Sequence, residues 1–311
     1  MERIKNMPVA VLPTMVGAIT LANFMQGLGY EWVRHVTLWV SAVVWLVYLM
    51  KMIRYPEVCR KEYSGTVPRS LYAGFTMIMM GFAGYLLPYA PALAKGLWLV
   101  AIAIHACHIL YFTYKAFGKN FSWDTFVPSW FVTYNGIMVS TVVGGAMEEP
   151  MIGQIIVYYG IAVYALLIPF MVYRLAAKPV KDAFYHTQAI VLAPCSLCLT
   201  SYVNFIENKN MTLLWILYAC VLLSLLFIVV KLPSFFTFKF NPGFAGLTFP
   251  MAIGTVASGK MAGVLTAAGQ EGTAAVMKQI SGFQFYLTTM LVGYVLLRFF
   301  MMWRRCEEET I

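Results

Sequence analysis

The chain has 311 residues, of which 61% are hydrophobic and only 11% are charged, and its formal net charge at pH 7 is +9. A soluble domain carries about 25% charged residues, so this composition excludes a water-soluble enzyme, a nucleic-acid-binding protein and a disordered protein. The basic residues stand between long apolar runs, where Lys and Arg orient a membrane protein. The sequence therefore predicts an integral membrane protein in a lipid bilayer, with no nucleic-acid partner.

Ten apolar runs are long enough to span a membrane, since about 20 residues of helix cross about 30 Å of hydrocarbon. They cover roughly residues 7–28, 31–53, 68–88, 91–116, 125–146, 151–175, 184–206, 210–232, 240–260 and 281–303. The longest connector is rich in Gly and Ala, follows the ninth run and is expected to hold short helices of its own. We predict an all-α protein in which residues 1–311 form a single transmembrane domain of ten helices.

The distribution of Lys and Arg predicts the orientation of these helices. Of the 22 basic residues, 17 fall on the side that carries both termini, and five fall on the other side: Arg34, Lys95, Lys209, Lys260 and Lys278. Cytoplasmic loops carry the excess of Lys and Arg, so we expect both termini in the cytoplasm, below a plasma (inner) membrane. Two termini on one side require an even number of spans, and ten satisfies this condition.

Proline and glycine recur in the odd-numbered runs, whereas the even-numbered runs, such as those at 31–53, 91–116 and 210–232, are expected to continue without an internal proline. Proline removes a backbone donor and clashes with the preceding turn. Such breaks are tolerated at membrane depth where neighbouring helices or a water-filled cavity supply hydrogen-bond partners. We predict five helical hairpins with the broken helices inside, around a central pathway; ordinary kinks are the alternative. The candidate kinks are Pro13, Gly17, Gly81, Pro128, Gly136, Pro194, Pro250 and Gly254.

No predicted span carries Asp, Glu, Lys or Arg near its middle. Ionisable residues inside a membrane mark proton relays and ion-coupling sites, so we expect passive permeation and not proton-coupled pumping. A neutral pore with basic rims suits anions. The candidate pore-lining residues are small, hydroxyl-bearing or aromatic: Thr14, Gly17, Thr20, Thr76, Thr133, Ser196, Thr200, Phe249 and Gly254.

Three other kinds of site are disfavoured. His105 and His108 have a spacing that could hold a metal, but no third ligand is evident, so packing histidines are favoured. Cys195 and Cys198 lie within an apolar run and are interpreted as buried or pore-facing thiols. The runs contain no catalytic acid–base pair and no phosphate-binding loop. We therefore predict no enzyme activity, no metal and no cofactor.

The layout of ten runs and the segment FNPGFAGLTFPMAIGT in the ninth run resemble the tellurite-resistance/dicarboxylate transporter family. That family includes the bacterial TehA proteins and the plant guard-cell slow anion channels. The strongest match is the T-F-P-M stretch at residues 248–251. The resemblance implies quasi-fivefold order of five hairpins around a pore, a homotrimer with one pore per subunit, and Phe249 as the pore-occluding residue. The sequence Phe244-Ala245-Gly246 departs from the paired tryptophans of plant members, which weakens any inference of plant-type regulation.

Two functions remain open on this fold. Channel members imply passive conduction of chloride, nitrate and similar small anions. Transporter members imply export or exchange of C4-dicarboxylates, sulfite or tellurite-related oxyanions. The missing coupling residue favours the channel. A ten-span drug/metabolite exporter is disfavoured, because it would show two inverted halves and the repeat here is a two-span hairpin.

Independently of the resemblance, the position of Phe249 suits a gate. A residue directly before a proline is displaced from helical geometry. An aromatic plug in a narrow apolar pore blocks ions sterically and by dewetting. A phenylalanine that only packs in the protein core is the alternative interpretation.

Overall fold

The computed structural model describes residues 2–118 and 121–308, with side chains described through Arg304. All regular elements in this part of the chain are helical, and it contains no β-strand. The α-helices are α1 (Glu2–Lys5), α2 (Val11–Gly27), α3 (Glu31–Arg54), α4 (Pro56–Ser64), α5 (Thr66–Leu71), α6 (Ala73–Leu86), α7 (Pro91–Phe117), α8 (Trp130–Tyr134), α9 (Val139–Val143), α10 (Pro150–Ala177), α11 (Leu192–Phe205), α12 (Met211–Phe235), α13 (Phe249–Ala267) and α14 (Glu271–Glu308). Four 3₁₀ segments accompany them, at Gly136–Met138, Gly144–Met147, Asp182–Val191 and Pro242–Leu247.

Six helical segments are long and apolar enough to cross a membrane, which identifies a membrane-embedded protein. Five of them are α3, α7, α10, α12 and α14, and the sixth covers Asp182–Phe205. The buried fraction of these six segments differs widely. Only 22% of the apolar window of α3 is buried, against 83% for Asp182–Phe205. An apolar helix surface that the protein leaves uncovered is stable in contact with lipid, so the five long helices form the outer layer.

The inner elements contact one another in a closed cycle. Helix α2 packs on α6, α6 on α9, α9 on α11, α11 on α13, and α13 returns to α2. The outer helices cover this cycle, with α3 on α2, α7 on α6, α10 and α12 on α11, and α14 on α13. The inner elements belong to the runs in which proline and glycine recur.

The candidate kink prolines lie at or near the starts of α-helices and not in their middles. Pro13 and Pro250 stand in the first turns of α2 and α13, where the missing N–H has no intrahelical partner to lose. Pro194 stands in the first turn of α11, directly after a 3₁₀ segment, and Pro128 precedes α8. The break in each of these runs is therefore a loop or a change from 3₁₀ to α geometry.

The predicted breaks at three glycines are absent. Helices α2, α6 and α13 continue through Gly17, Gly81 and Gly254. The third run is interrupted earlier instead, at Tyr72 between α5 and α6. Gly136 does begin a 3₁₀ segment, between α8 and α9. These glycines serve close packing, because a methyl group on Gly81 would lie 3.1 Å from Ile19 Cγ2.

Two further expectations require correction. The Gly- and Ala-rich stretch after the ninth run is helical, since α13 extends to Ala267 and α14 begins at Glu271. The turn between them is short and contains Gly269 at φ +72°, a conformation that favours glycine. Proline is also present in two outer helices, at Pro169 in α10 and Pro233 in α12.

Candidate functional site

Two cavities meet at Phe249 inside the cycle of inner elements. The lower cavity has a volume of about 190 Å³ and lies at the first turns of the inner helices, among Pro8, Pro13, Val132, Ile190, Gly246 and Pro250. The upper cavity has a volume of about 550 Å³ and lies among Val16, Thr20, Met77, Gly81, Val139 and Val256. Phe249 lines both cavities, although only 6% of its surface is exposed.

The local backbone explains the position of the Phe249 ring. The preceding 3₁₀ segment ends at Leu247, and Thr248 has φ −92° and ψ −78°, outside ideal helical values. Phe249 is then the first residue of α13 and precedes Pro250, which restricts its backbone further. Thr248 Oγ1 donates to the Ala245 carbonyl at 2.7 Å and ties the end of the 3₁₀ segment to the start of α13.

The Phe249 ring has no aromatic partner in the described part of the chain. Phe112, a fully buried phenylalanine of α7, differs in this respect, since it packs edge-on against Trp130 and Tyr134 at centroid distances of 5.3 and 5.7 Å. Phe249 is thus bordered by a cavity on two sides, whereas Phe112 lies in a packed aromatic cluster.

Glycine allows α2 to approach the start of α13 at this level. A β-carbon on Gly17 would lie 2.6 Å from the backbone nitrogen of Phe249 and 2.8 Å from the carbonyl carbon of Thr248. Glycine likewise allows α6 to approach α2, because a β-carbon on Gly74 of α6 would lie 2.8 Å from the Pro13 nitrogen. Helix α2 therefore lies close to the backbone of α13 at Phe249, and α6 lies close to the backbone of α2 at Pro13.

The upper cavity contains two basic side chains and no acidic one. Lys260 lies on the same face of α13 as Phe249 and Val256, because steps of seven and eleven residues nearly complete whole helical turns. Arg34 donates from Nε to Asn23 Oδ1 at 2.9 Å and from Nη2 to the Gly84 carbonyl at 3.3 Å. Neither side chain pairs with a carboxylate among the described residues.

The position of Lys260 in the helix differs from the sequence interpretation. The sequence interpretation ended the ninth run at residue 260, but α13 continues to Ala267 and places Lys260 inside the helix. The helical spacing of Phe249, Val256 and Lys260 is the sequence signal that could have placed Lys260 within the helix. The lower cavity, by contrast, has no charged residue in its lining.

Of the candidate pore-lining hydroxyl residues, only Thr20 lines either cavity, in the upper one. The others lie elsewhere. Thr14 Oγ1 donates to the Ala10 carbonyl at 2.9 Å. The hydroxyl groups of Ser196 and Thr200 in α11 are buried without a hydrogen-bond partner in the described part of the chain. The upper cavity is lined mostly by apolar residues and glycine, together with Thr20, Asn23, Gln26 and the two basic groups.

Thr76 and Thr133 bind histidines of the outer helix α7. His105 Nε2 donates to the Thr133 carbonyl at 2.9 Å, so a neutral ring accepts from Thr76 Oγ1 at Nδ1, 2.7 Å away. His108 lies 2.7 Å from the Tyr63 hydroxyl and 3.4 Å from Thr133 Oγ1. Burial raises the pKa of Tyr63 to about 12, so this phenol keeps its proton at neutral pH and can donate to His108.

Both histidines are thus hydrogen-bonded within the protein. The described residues contain no group of three or more His, Cys, Asp or Glu that could hold a metal. Cys195 and Cys198 are free, buried thiols, and the Cys195 thiol donates to the Leu192 carbonyl at 3.3 Å.

Comparison with known proteins gives one family. The family model described as voltage-dependent anion channel (SLAC1) matches residues 6–304, nearly the whole chain. No curated protein sequence matches the chain. The matched range includes all five inner elements, both cavities and Phe249. The chain belongs to the voltage-dependent anion channel family.

Proposed function

We propose that the protein is a passive channel for small monovalent anions, chloride and nitrate, with Phe249 as its gate. The observation that carries this proposal is that Phe249 lines two cavities, one at the first turns of the inner helices and one further along them. The ring closes the pathway sterically, and the aliphatic walls beside it disfavour water. Displacement of this single side chain would join the two cavities.

Charge in the upper cavity supports selectivity for anions. Lys260 and Arg34 contribute positive charge, and neither cavity has Asp or Glu in its lining. A cleft lined by one sign of charge raises the local concentration of counter-ions. Without a deep carboxylate, the pathway also lacks the residue type that carries protons in coupled transporters.

The proposed assembly has ten spans arranged as five hairpins in quasi-fivefold order, within one transmembrane domain of residues 1–311. The closed cycle of contacts among α2, α6, α9, α11 and α13 supports this order. Contact between α1 and α14 supports termini on one side, which the Lys and Arg distribution assigns to the cytoplasmic face of the plasma membrane. From the family resemblance, we further propose that the protein assembles as a homotrimer with one pore per subunit.

Substitution of Phe249 by Ala tests the gate. Phe249 belongs to the buried core but also borders both cavities, so we expect the variant to fold and its resting anion conductance to increase. Chloride and nitrate currents in planar bilayers, compared at equal protein density, measure the effect.

Phe112→Ala is the matched control. It removes a ring of the same size from an aromatic cluster, so it should cost about 3–5 kcal/mol of stability without opening the pathway. Normal folding of Phe249→Ala with unchanged conductance would contradict the gate. Uphill anion uptake driven by an imposed proton gradient would instead support the transporter.

A further inference from the structure

A third cavity, of about 830 Å³, is lined by residues of α3, α4, α5, α6 and α7. We call it the side cavity. It shares no lining residue with the lower or upper cavity and is therefore separate from the proposed pathway. Its lining contains no Asp or Glu but three basic residues, Arg60, Arg69 and Lys115.

Arg69 is the central feature of the side cavity. It is only 7% exposed, and its Nε and Nη2 donate to the carbonyls of Tyr63 and Ser64, both at 2.8 Å. No carboxylate in the described ranges pairs with this guanidinium, and its Nη1 has no protein partner there. Buried charges are normally paired, so the cavity wall presents a cation whose counter-charge the protein does not supply.

Two more cations lie at the edge of the side cavity. Lys115 is exposed, and its ammonium group lies over the rings of Tyr111 and Tyr114 at 5.5 and 5.6 Å from the centroids. Arg60 is exposed and is paired with Glu57 at 3.3 Å. Lys115 and Arg69 therefore carry the positive charge that remains available to a bound anion.

The rest of the lining is apolar and reaches the lipid-facing surface. Met52 and Phe75 line the side cavity together with Ile104 of α7. Ile104 and Tyr111 are both 45% exposed on the outer face of α7, a helix that we place in contact with lipid. The side cavity thus combines a cationic part with an apolar part that is accessible from the bilayer.

We propose that the side cavity binds an anionic phospholipid, with the phosphate at Arg69 and Lys115 and an acyl chain along Phe75 and Ile104. The phosphate supplies the counter-charge that Arg69 lacks, and hydrogen bonds to an ionised acceptor are the stronger kind. The acyl chain removes the apolar part of the cavity from water. This site lies apart from the conduction pathway and does not depend on the proposed gate.

Native mass spectrometry of the detergent-purified protein tests the proposal. The protein is titrated with phosphatidylglycerol and, separately, with phosphatidylcholine of the same acyl chains, each with and without inorganic phosphate. We expect tighter binding of phosphatidylglycerol and little competition from millimolar phosphate. Equal binding of the two lipids would overturn the anionic assignment. Full displacement by inorganic phosphate would show a site for the free anion and overturn the lipid assignment.

Two variants locate the site. Lys115→Gln should weaken phosphatidylglycerol binding about fivefold, since one Lys or Arg near an anionic lipid contributes about 1 kcal/mol. Arg69→Gln should weaken it further, with the thermal midpoint recorded to confirm folding. Arg54→Gln is the matched control, because Arg54 is an exposed residue at the end of α3 outside the side-cavity lining. Equal effects of Lys115→Gln and Arg54→Gln would overturn the site.

Discussion

A β-carbon on Gly17 would lie 2.6 Å from the backbone nitrogen of Phe249, closer than real β-carbons approach other atoms. The contacting atoms are backbone, so they cannot rotate away as the end of a side chain can. Gly17→Ala should therefore displace the start of α13. Overpacking of this kind costs about 1–3 kcal/mol, and we expect a thermal midpoint lower by a few degrees and a resting anion conductance that departs from the wild type.

Gly263→Ala is the control for this prediction. Gly263 lies within α13, and a β-carbon there would meet nothing within 4 Å. Alanine is favoured over glycine in a helix by about 0.5–1 kcal/mol, so stability should be equal or higher and conductance unchanged. Identical behaviour of the two variants would show that the contact between Gly17 and Phe249 does not position the gate.

Anion flux should be independent of a proton gradient. The linings of both cavities contain no Asp, Glu or His, so neither cavity offers a carboxylate or imidazole to carry a proton. Chloride efflux from proteoliposomes should follow the chloride gradient and membrane potential, with equal initial rates whether or not a pH difference of one unit is imposed across the membrane. Accumulation of chloride against its gradient under that pH difference would contradict passive conduction.

The sequence predicted the membrane class and the family, because each depends on composition or on a local motif. It did not predict which hydroxyl groups line the pathway. Thr76 and Thr133 face histidines of α7, and that pairing depends on the rotation of each helix about its axis. Rotation is set by contacts between segments distant in sequence, such as Gly17 with Phe249.

Helix ends were the second source of error. Ending the ninth run at residue 260 made Lys260 a residue of the rim, although α13 continues for two further turns. A Gly- and Ala-rich stretch has no bulky apolar side chains, so hydropathy falls there while helical hydrogen bonding continues. Tertiary contact supplies the missing stability, since α13 packs extensively along α14.

Labelling should place both ends of the chain on one side of the membrane. Contact between α1 and α14 and the excess of Lys and Arg predict that cysteines introduced at Arg60 are reached by an impermeant maleimide only from the cytoplasm. A cysteine introduced at Glu148, in the turn before α10, should be labelled from outside. Both experiments use intact cells and a background without native reactive thiols. Outside labelling at position 60 but not at 148 would reverse the proposed orientation.

Lys260 should attract anions into the upper cavity. At 1.5 Å per residue, it lies about 16 Å along α13 from Phe249, so it acts on ions that approach the gate and not on the gate itself. Lys260→Gln should lower chloride conductance several-fold in dilute salt. The effect should shrink near 1 M salt, where the Debye length falls to about 3 Å from about 10 Å at 0.1 M. Lys260→Arg should retain wild-type conductance, because the charge is kept.

Lys278→Gln is the matched control for Lys260→Gln, since Lys278 is an exposed lysine of α14 that lines neither cavity. It should leave the current unchanged at both salt concentrations. Reversal potentials in a potassium chloride gradient measure selectivity in the same recordings. The loss of Lys260 should move the reversal potential toward the equilibrium potential of potassium. A loss of conductance that is equal at low and high salt would show that Lys260 supports the fold of α13 and does not concentrate anions. Potassium permeability equal to chloride permeability in the unmodified protein would contradict anion conduction altogether.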